Sequence, residues 1–300
     1  MPDPLSQIIR LLQPRTVLAK RISGAGRWGV RYSRFDQPSF AAVLEGRCRL
    51  SVDGHRALTL EAGDFVLLPA TPAFTMSGFE QVPPELFDPK RMAGASGEVR
   101  HGTRGGRPDV RLLGGYFLFD SPDHALLVSL LPGLFHVRGV ERLTTLVRLV
   151  ADESSERRAG RELVLSRLVE ILLIEALRGA VAEEAPKGLL RGLSDARLAP
   201  ALRQMHAHPA RPWTVPQLAK VAALSRSAFF DRFTKNIGLP PMEYLFAWRM
   251  ALAKDLLHRQ KLAIAEVAER VGYGSASTFS TAFARHVGHP PGRYARGTPP

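Results

Sequence analysis

The sequence FTKNIGLPPMEY at residues 233–244 returns fifty residues later as FARHVGHPPGRY at residues 283–294. Both copies keep a phenylalanine, a glycine, a pair of prolines and a tyrosine in the same order and spacing. A Ser-x-Ser motif at residues 225–227 recurs at residues 275–277 with the same offset. A solenoid needs three or more stacked repeats, so two copies indicate one small unit that has been duplicated.

Each copy has the signals of a helix, a tight turn and a second helix. In the first copy, Thr214-x-x-Gln217 is a capping box for the first helix, and Ser225 can cap the second helix. In the second copy, Gly272 suits the left-handed end of the first helix and Ser275 can cap the second. The repeat is therefore predicted to be a pair of helix-turn-helix units.

The second helix of each unit has a predicted inner face and a predicted outer face. The pairs Phe229/Phe233 and Phe279/Phe283 are spaced i, i+4 and would anchor these helices inward. The outer faces are then slim, as a helix that enters a DNA major groove requires. The predicted outer positions are Arg226, Ser227, Phe230, Asp231 and Thr234 in the first unit and Ala276, Ser277, Ser280, Thr281 and Ala284 in the second.

Between the two units, residues 244–258 are predicted to form one long helix that buries Leu245, Trp248, Leu252 and Leu256. Such a rigid spacer would hold the two outer helices at a fixed separation, and a separation of about 34 Å would place them in successive major grooves. A purely structural helical bundle is the alternative, and the capped, slim second helices argue against it.

The chain carries a net charge of +13, most of it in the C-terminal third. From Asp195 to Pro300, lysine and arginine outnumber aspartate and glutamate by 15 to 6, whereas the numbers for the first 194 residues are 26 and 22. A compact basic domain favours a polyanionic partner, because each neutralised phosphate releases counterions. Basic surfaces also serve solubility, so charge alone does not identify nucleic acid as the partner.

Cys48 is the single cysteine, which excludes an internal disulfide and a thiolate metal cluster. In an apolar strand it is expected to be buried and inert. No run of eighteen apolar residues is present, and residues 1–10 lack the pattern of a signal peptide. We therefore expect no membrane association and a cytoplasmic location.

The N-terminal half has the texture of a β protein from Phe40 onward, with short apolar runs broken by glycine, aspartate and proline. The predicted strands are residues 40–44, 48–52, 57–60, 65–68 and 110–119. Predicted turns lie at Glu45-Gly46, Asp53-Gly54 and Ala62-Gly63-Asp64, and the glycine-rich residues 92–108 are predicted to be a flexible loop.

A helical period begins near Val140. The stretch from Arg161 to Arg178 has too many apolar residues for one stripe and must bury two faces. A core helix inside a large domain explains this pattern. A helix that packs within its own chain on one face and against a second copy on the other explains it equally well.

The C-terminal third resembles the AraC/XylS family of bacterial transcription regulators. The matching segments are WTVPQLAKVAALSRSAFFDRF, GLPPMEYLFAWRMALAKDLL and IAEVAERVGYGSASTFSTAFARHVGHPPGRY, within residues 213–294. The segments FAAVLEGRCRL at residues 40–50 and LEAGDFVLLP at residues 60–69 are similar to the subgroup whose N-terminal half is a cupin. The resemblance implies a sequence-specific, dimeric DNA-binding regulator that is not an enzyme.

The fold class implied by this resemblance is α+β multidomain. A cupin-like β-barrel sensor is expected at residues 1–139, a helical dimerisation segment at 140–180, a linker at 181–194 and an all-α double helix-turn-helix domain at 195–300. The implied partners are double-stranded DNA and a second copy of the chain, bound through the helix from Arg161 to Arg178. RNA polymerase and a small-molecule effector are further candidate partners.

The resemblance also implies base contacts from the outer faces of both second helices. Carried over to this chain, the base-contacting residues are Ser227, Phe230, Asp231, Ala276, Ser277, Ser280 and Thr281. Relatives often have arginine where this chain has Asp231 and Thr281, so the preferred operator is expected to differ. An aspartate can still accept a hydrogen bond from cytosine N4. The candidates for phosphate contact are Arg226, Lys235, Arg285 and Arg293.

The first half lacks the ligand pattern of a metal cupin, because no His-x-His occurs before the linker and its histidines are scattered. No metal and no cofactor are therefore expected. Seven large apolar residues either line a ligand pocket or form ordinary core, which is the favoured reading. These residues are Phe40, Leu44, Phe65, Leu67, Phe74, Phe117 and Phe119.

Two other functions compete with a sequence-specific regulator. The first is a cupin enzyme fused to a DNA-binding tail, and the missing His-x-His argues against it. The second is a nucleoid or RNA binder that acts through charge alone, which would bind any duplex with equal affinity.

Overall fold

The structure, a computed structural model, describes residues 3–12, 14–35, 37–88, 97–119, 133–156, 158–179 and 187–296. These residues divide into two compact units. The β unit contains the described part of residues 13–184, and the helical unit contains residues 3–12 together with residues 187–296. No helix among the described residues has both the length and the apolar character needed to cross a membrane.

The β unit is a curled sheet built around one long strand. Its strands are β1 Pro14–Ala25, β2 Gly29–Tyr32, β3 Ser39–Val52, β4 Leu58–Glu61, β5 Phe65–Leu68, β6 Phe74–Ser77, β7 Glu85–Phe87, β8 Val99–Gly102, β9 Val110–Phe119 and β10 Phe135–Val137. The first half of β3 pairs with β5 and β9, and its second half pairs with β4 and β6. This change of partners curls the sheet into a cupin-like half-barrel, and Cys48, Leu50 and Leu60 are buried in its core.

The predicted turn at Glu45-Gly46 is wrong, because β3 runs through it without a break. The register between β3 and β9 shifts between Val43 and Glu45, so the extra residue forms an irregularity of the bulge type. Gly46 has a left-handed φ of +74°, and a Cβ there would overlap the carbonyl group of Asp109. The glycine therefore serves a close backbone approach, and a local turn signal cannot distinguish the two.

The predicted flexible loop at residues 92–108 is also wrong in part. Val99–Gly102 forms β8, which pairs in parallel with the end of β1. Residues 92–96 lie outside the described residues. The strand predictions at residues 65–68 and 110–119 coincide with β5 and β9, because these runs are apolar and bounded by turns.

Asp64 ties the turn before β5 to the end of the β unit. Its side chain is 1% exposed and accepts hydrogen bonds from the guanidinium of Arg138 at 2.9 Å and from the backbone N–H of Glu61 at 3.0 Å. His136 Nε2 lies 3.1 Å away. Burial alone would raise the pKa of Asp64, but these hydrogen bonds outweigh it and lower the pKa. The carboxylate is therefore structural, as expected of turn chemistry.

Two helices complete the β unit: α2 Glu141–Ser155 and α3 Arg161–Gly179. The helix predicted from Arg161 to Arg178 is thus present almost residue for residue. One face of α3 is buried and carries Leu165, Val169 and Leu172. Its other face is open, and Leu163 is 65% exposed and Ile171 41% exposed.

The helical unit contains nine helices among the described residues. They are α1 Pro4–Leu12, α4 Leu189–Ser194, α5 Leu198–Ala207, α6 Val215–Val221, α7 Arg226–Ile237, α8 Pro241–His258, α9 Ile264–Arg270, α10 Ala276–Val287 and α11 Pro291–Ala295. Two helix-turn-helix units, α6–α7 and α9–α10, flank the long helix α8, as the repeat predicted. Leu245 and Trp248 of α8 are buried as expected, whereas Leu252 and Leu256 are only half-buried.

Helix α1 packs inside the helical unit, although it lies at the opposite end of the chain. Ile8 is fully buried there, and Gln7 Oε1 lies 3.1 Å from Nδ1 of His206 on α5. Nε2 of His206 lies 2.6 Å from the hydroxyl of Tyr244, and the His206 ring packs on Trp248 with centroids 4.1 Å apart. The imidazole is thus held neutral between two partners, with Nδ1 as donor and Nε2 as acceptor.

His206 makes the stability of the helical unit dependent on pH. Burial lowers the pKa of His206 to about 3, and nearby Asp3 opposes this shift only in part. The unfolded chain takes up a proton near pH 6.5, whereas the folded unit does not do so until about pH 3. The contribution of His206 to the free energy of unfolding is therefore fully present above pH 6.5. It is expected to be lost as the pH drops towards 3, by up to about 1.4 kcal/mol per pH unit.

Urea unfolding followed by tryptophan fluorescence between pH 7.5 and 4.5 measures this slope. His206→Leu should lower stability at neutral pH but flatten the slope, because no buried imidazole remains to be protonated. His258→Leu, at an exposed position of α8, is the matched control and should keep the slope of the unaltered chain. An equal slope with and without His206 would contradict the prediction.

Candidate nucleic-acid interface

The two helix-turn-helix units begin and end their second helices in the same way. The Ser225 hydroxyl accepts from the N–H of Ala228 at 3.2 Å, and the Ser275 hydroxyl accepts from the N–H of Thr278 at 3.1 Å. Both helices end at a left-handed glycine, with φ values of +91° and +84°. Each serine satisfies one of the free backbone N–H groups of the first turn, and each left-handed glycine lets the chain leave the helix, so α7 and α10 begin and end alike.

The inner face of each second helix is anchored by a pair of phenylalanines. The ring centroids of Phe229 and Phe233 lie 5.5 Å apart at an interplanar angle of 51°, and those of Phe279 and Phe283 have the same distance and angle. All four side chains are completely buried. The predicted inward orientation is thus present in both units.

The tyrosine of each repeat closes over the second phenylalanine. Tyr244 meets Phe233 edge-on with centroids 5.7 Å apart, and Tyr294 meets Phe283 at 5.5 Å. Burial raises the pKa of Tyr244 far above its ordinary range, so the phenol stays neutral. The motif Phe-x4-Gly-x-Pro-Pro-x2-Tyr therefore produces the same aromatic packing in both units.

The outer faces of α7 and α10 are accessible. Five of the seven proposed base-contacting residues are exposed, namely Ser227, Phe230, Asp231, Ser277 and Thr281. Ala276 and Ser280 are half-buried, as are Thr234 and Ala284 from the predicted outer positions. The four candidates for phosphate contact, Arg226, Lys235, Arg285 and Arg293, are all exposed. Arg232 is engaged within the unit, with Nε 2.6 Å from the carboxylate of Asp195.

Two hydroxyl groups on α10 bond within the helix. The Ser280 hydroxyl donates to the carbonyl of Ala276 at 2.7 Å, and the Thr281 hydroxyl donates to the carbonyl of Ser277 at 3.1 Å. In this arrangement their oxygens can only accept from a ligand. The face of α10 thus offers acceptors and methyl groups, whereas α7 adds the aromatic ring of Phe230 and the carboxylate of Asp231.

The two units differ at the start of their first helices and in the turn that follows. Thr214 and Gln217 form the predicted capping box of α6, whereas the N-cap of α9 is Ala263, which has no side chain that can cap the helix. In the turn, Ala223 has a left-handed φ of +52° where the second unit has Gly272 at +84°. The repeat has therefore kept its second helices more closely than its first.

Sequence reasoning overlooked Arg249, a charged residue in the otherwise apolar run Trp248–Ala253 of α8. Its guanidinium is half-buried and donates to the backbone carbonyls of Pro209 and Arg211, both at 2.8 Å. A single cation inside an apolar run was the available signal, because such a residue must find acceptors when it is buried.

The β unit contains a small apolar cavity of about 40 Å³. Phe40 and Phe74, two of the seven expected lining residues, border it. Phe65 and Leu67 lie on the other face of β5 from Val66 and Leu68, which line the cavity. Both are buried and belong to the core, as the favoured interpretation of these residues predicted. Among the described residues, no group of three His, Cys, Asp or Glu side chains is placed to hold a metal ion.

Comparison with known proteins finds two matching family models. A cupin model matches residues 3–182, and a helix-turn-helix domain model matches residues 218–297. A putative AraC-like transcription regulator of Streptomyces lividans is 36% identical over an alignment of 301 residues, and the alignment covers 98% of each chain. One of Streptomyces antibioticus is 35% identical with the same coverage. The HTH-type transcriptional regulator AlkR of Acinetobacter baylyi is 30% identical over 90% of this chain and 91% of its own.

Ser277 offers a test of the outer face of α10. Ser277→Glu should leave the fold unchanged, because the side chain is exposed, but should bring a negative charge against DNA. We expect specific affinity for DNA to fall on the order of a hundredfold, because a like charge at an interface costs several kcal/mol. Gln260→Glu, at the exposed turn after α8, adds the same charge elsewhere and is the matched control. Undiminished binding by Ser277→Glu would exclude α10 from the groove.

Proposed function

The chain belongs to the AraC-like family of transcription regulators, and we propose that each protomer of a homodimer reads two adjacent half-elements of DNA through α7 and α10. It is a DNA-binding regulator with a cupin-like domain. The named relatives are transcription regulators, and they do not favour the enzyme alternative.

One observation carries this proposal. Each unit exposes one slim helix face above its own buried aromatic cluster, and the two clusters have the same geometry. A helix in the major groove reads base edges with short side chains, while longer cations hold the backbone. The proposed base contacts are Ser227, Phe230, Asp231, Ala276, Ser277, Ser280 and Thr281. The proposed phosphate contacts are Arg226, Lys235, Arg285 and Arg293.

The chemistry of these faces also favours certain bases. On α10, acceptor oxygens and the Thr281 methyl group suit the amino group of adenine or cytosine and the methyl group of thymine. On α7, Asp231 suits cytosine N4 and Phe230 suits a thymine methyl group. Arginine is the side chain that most often reads guanine, and this chain has aspartate and threonine at positions 231 and 281, where relatives often have arginine. The half-elements are therefore expected to contain few guanines at the base pairs that these two positions face.

Selection of preferred sequences from random duplex DNA tests the function directly. The full chain is used at about 150 mM salt, where non-specific phosphate binding is largely screened. For each protomer we expect a motif of two half-elements spaced by about one helical turn. Recovery of unenriched DNA would reject the regulator of a defined operator and support the binder that acts through charge alone.

The proposed dimer rests on the open face of α3. Its buried face packs within the β unit, which leaves Leu163, Val164 and Ile171 exposed, and Leu149 of α2 is exposed as well. Isolated apolar side chains are common on protein surfaces, but several on one helix pair form the kind of patch that marks an interface. A two-fold symmetric contact between copies of this helix would bury the patch.

Charge introduced on this face should separate the protomers. We expect Val164→Asp combined with Ile171→Asp to convert a dimer into a monomer, measured by sedimentation equilibrium, because an interface cannot bury two unpaired carboxylates. Leu86→Asp is the control, since Leu86 on β7 is 82% exposed and lies on another element of the same unit. A dimer that survives the double substitution would place the interface elsewhere.

We further propose a small apolar effector in the cavity of the β unit and RNA polymerase as a partner of the DNA-bound dimer. The cavity is lined by apolar groups including Leu50, Met76 and Leu112. At about 40 Å³ it must widen to admit more than a very small molecule. A cytoplasmic location is proposed because the DNA target lies there.

A further inference from the structure

The segment that precedes the first helix-turn-helix unit also touches the second unit. We call residues 208–213 the junction loop. The loop leads directly into Thr214, the N-cap of α6, so the place where the loop lies fixes the start of the first unit. The Trp213 indole is buried and donates to the carbonyl of His208 at 3.0 Å, and the Arg211 guanidinium lies 4.2 Å from the centroid of the Trp213 rings. These contacts fold the loop on itself immediately before the first unit begins.

Arg249 of α8 binds the junction loop with two nitrogen atoms of its guanidinium group. Nε donates to the carbonyl of Pro209 and Nη2 to the carbonyl of Arg211, each at 2.8 Å. The planar fork of an arginine holds two acceptors in a fixed orientation, which a lysine cannot do. Arg249 also lies close enough to Tyr273 of the second unit that the guanidinium opposes the rise in the pKa of Tyr273 caused by burial.

Gly272 brings the second unit directly against the same loop. A Cβ at this position would lie 2.6 Å from the carbonyl oxygen of Ala210 and 2.9 Å from its Cα. The equivalent turn of the first unit tolerates alanine, Ala223, in the same left-handed region. The left-handed backbone alone therefore does not demand glycine at position 272, and the close approach of Ala210 does.

We propose that Arg249 and Gly272 are positioning residues that fix the separation and rotation of the two recognition helices, α7 and α10, through the junction loop. Neither residue is among the proposed DNA contacts. Their effect is on the geometry between the units. α8 packs on the second unit through Met250, Ala253 and Leu257, and the junction loop adds a further contact that reaches the second unit from the start of the first. A rigid pair of units binds two half-elements with high effective concentration only at one spacing.

The first test measures the geometry without DNA. Spin labels are placed on the full chain at equivalent positions of the two recognition helices, by Ser227→Cys and Ser277→Cys, and labelled protein is diluted with unlabelled protein to suppress contacts between protomers. Cys48 is fully buried, and burial raises the pKa of its thiol to about 12, so it should not take the label. A preparation without the two introduced cysteines checks this.

We expect one narrow distance distribution for the otherwise unaltered chain. Arg249→Gln and Gly272→Ala should each broaden or shift it, and Arg249→Lys should have an intermediate effect. Arg259→Gln, which removes an exposed ion pair with Asp255 on the same helix, and Ala223→Gly, in the equivalent turn of the first unit, should leave it unchanged. Unchanged narrow distributions in both junction variants would overturn the proposal, even if their melting temperatures fell.

The second test uses the duplex selected for the unaltered chain and therefore rests on the proposed function. Lengthening the spacer between half-elements by one or two base pairs should weaken binding by the unaltered chain on the order of tenfold or more. Arg249→Gln should bind the native spacing less tightly and lose most of this spacer dependence. An unaltered spacer dependence in the variant would also overturn the proposal. Failure of the unaltered chain to select any duplex would reject the proposed function and leave the distance measurement decisive for the junction.

Discussion

The packing of two phenylalanines and a tyrosine beneath each recognition helix is the contact on which the DNA-binding surface depends. It buries one face of α7 and of α10 completely, and this burial determines which residues remain outside. Because each helix is also capped at both ends, it needs no large side chains on its outer face for stability. That freedom allows the outer face to be short and polar, as base readout in a major groove requires.

The β unit reaches its shape through a different constraint, the change of partners along β3. A single strand that pairs with β5 and β9 and then with β4 and β6 must bend, and the bulge near Glu45 with the glycine after it permits the bend. The curled sheet encloses a small apolar cavity on one face and packs α2 and α3 on the other parts of its surface. The open face of α3 then remains exposed.

Much of the helical unit could be read from local patterns. The Phe pairs, the serine caps and the terminal glycines each act within a few residues, so their spacing alone indicates a helix and its buried side. The strands of 65–68 and 110–119 were predictable for the same reason. The unbroken strand through Glu45-Gly46 was not, because a glycine required by the carbonyl of Asp109 looks the same in the sequence as a glycine of a turn.

The sequence by itself determined that the chain ends in two helix-turn-helix units with slim outer faces, because the repeat, the caps and the aromatic spacing are local. Only the tertiary structure decided that α1 belongs with those units, that Phe65 and Leu67 face away from the cavity, and that Arg249 and Gly272 hold the junction loop. Each of these depends on contacts between residues far apart in the chain. Hydrophobic periodicity shows that a face must be buried, but it does not show which distant segment will cover it.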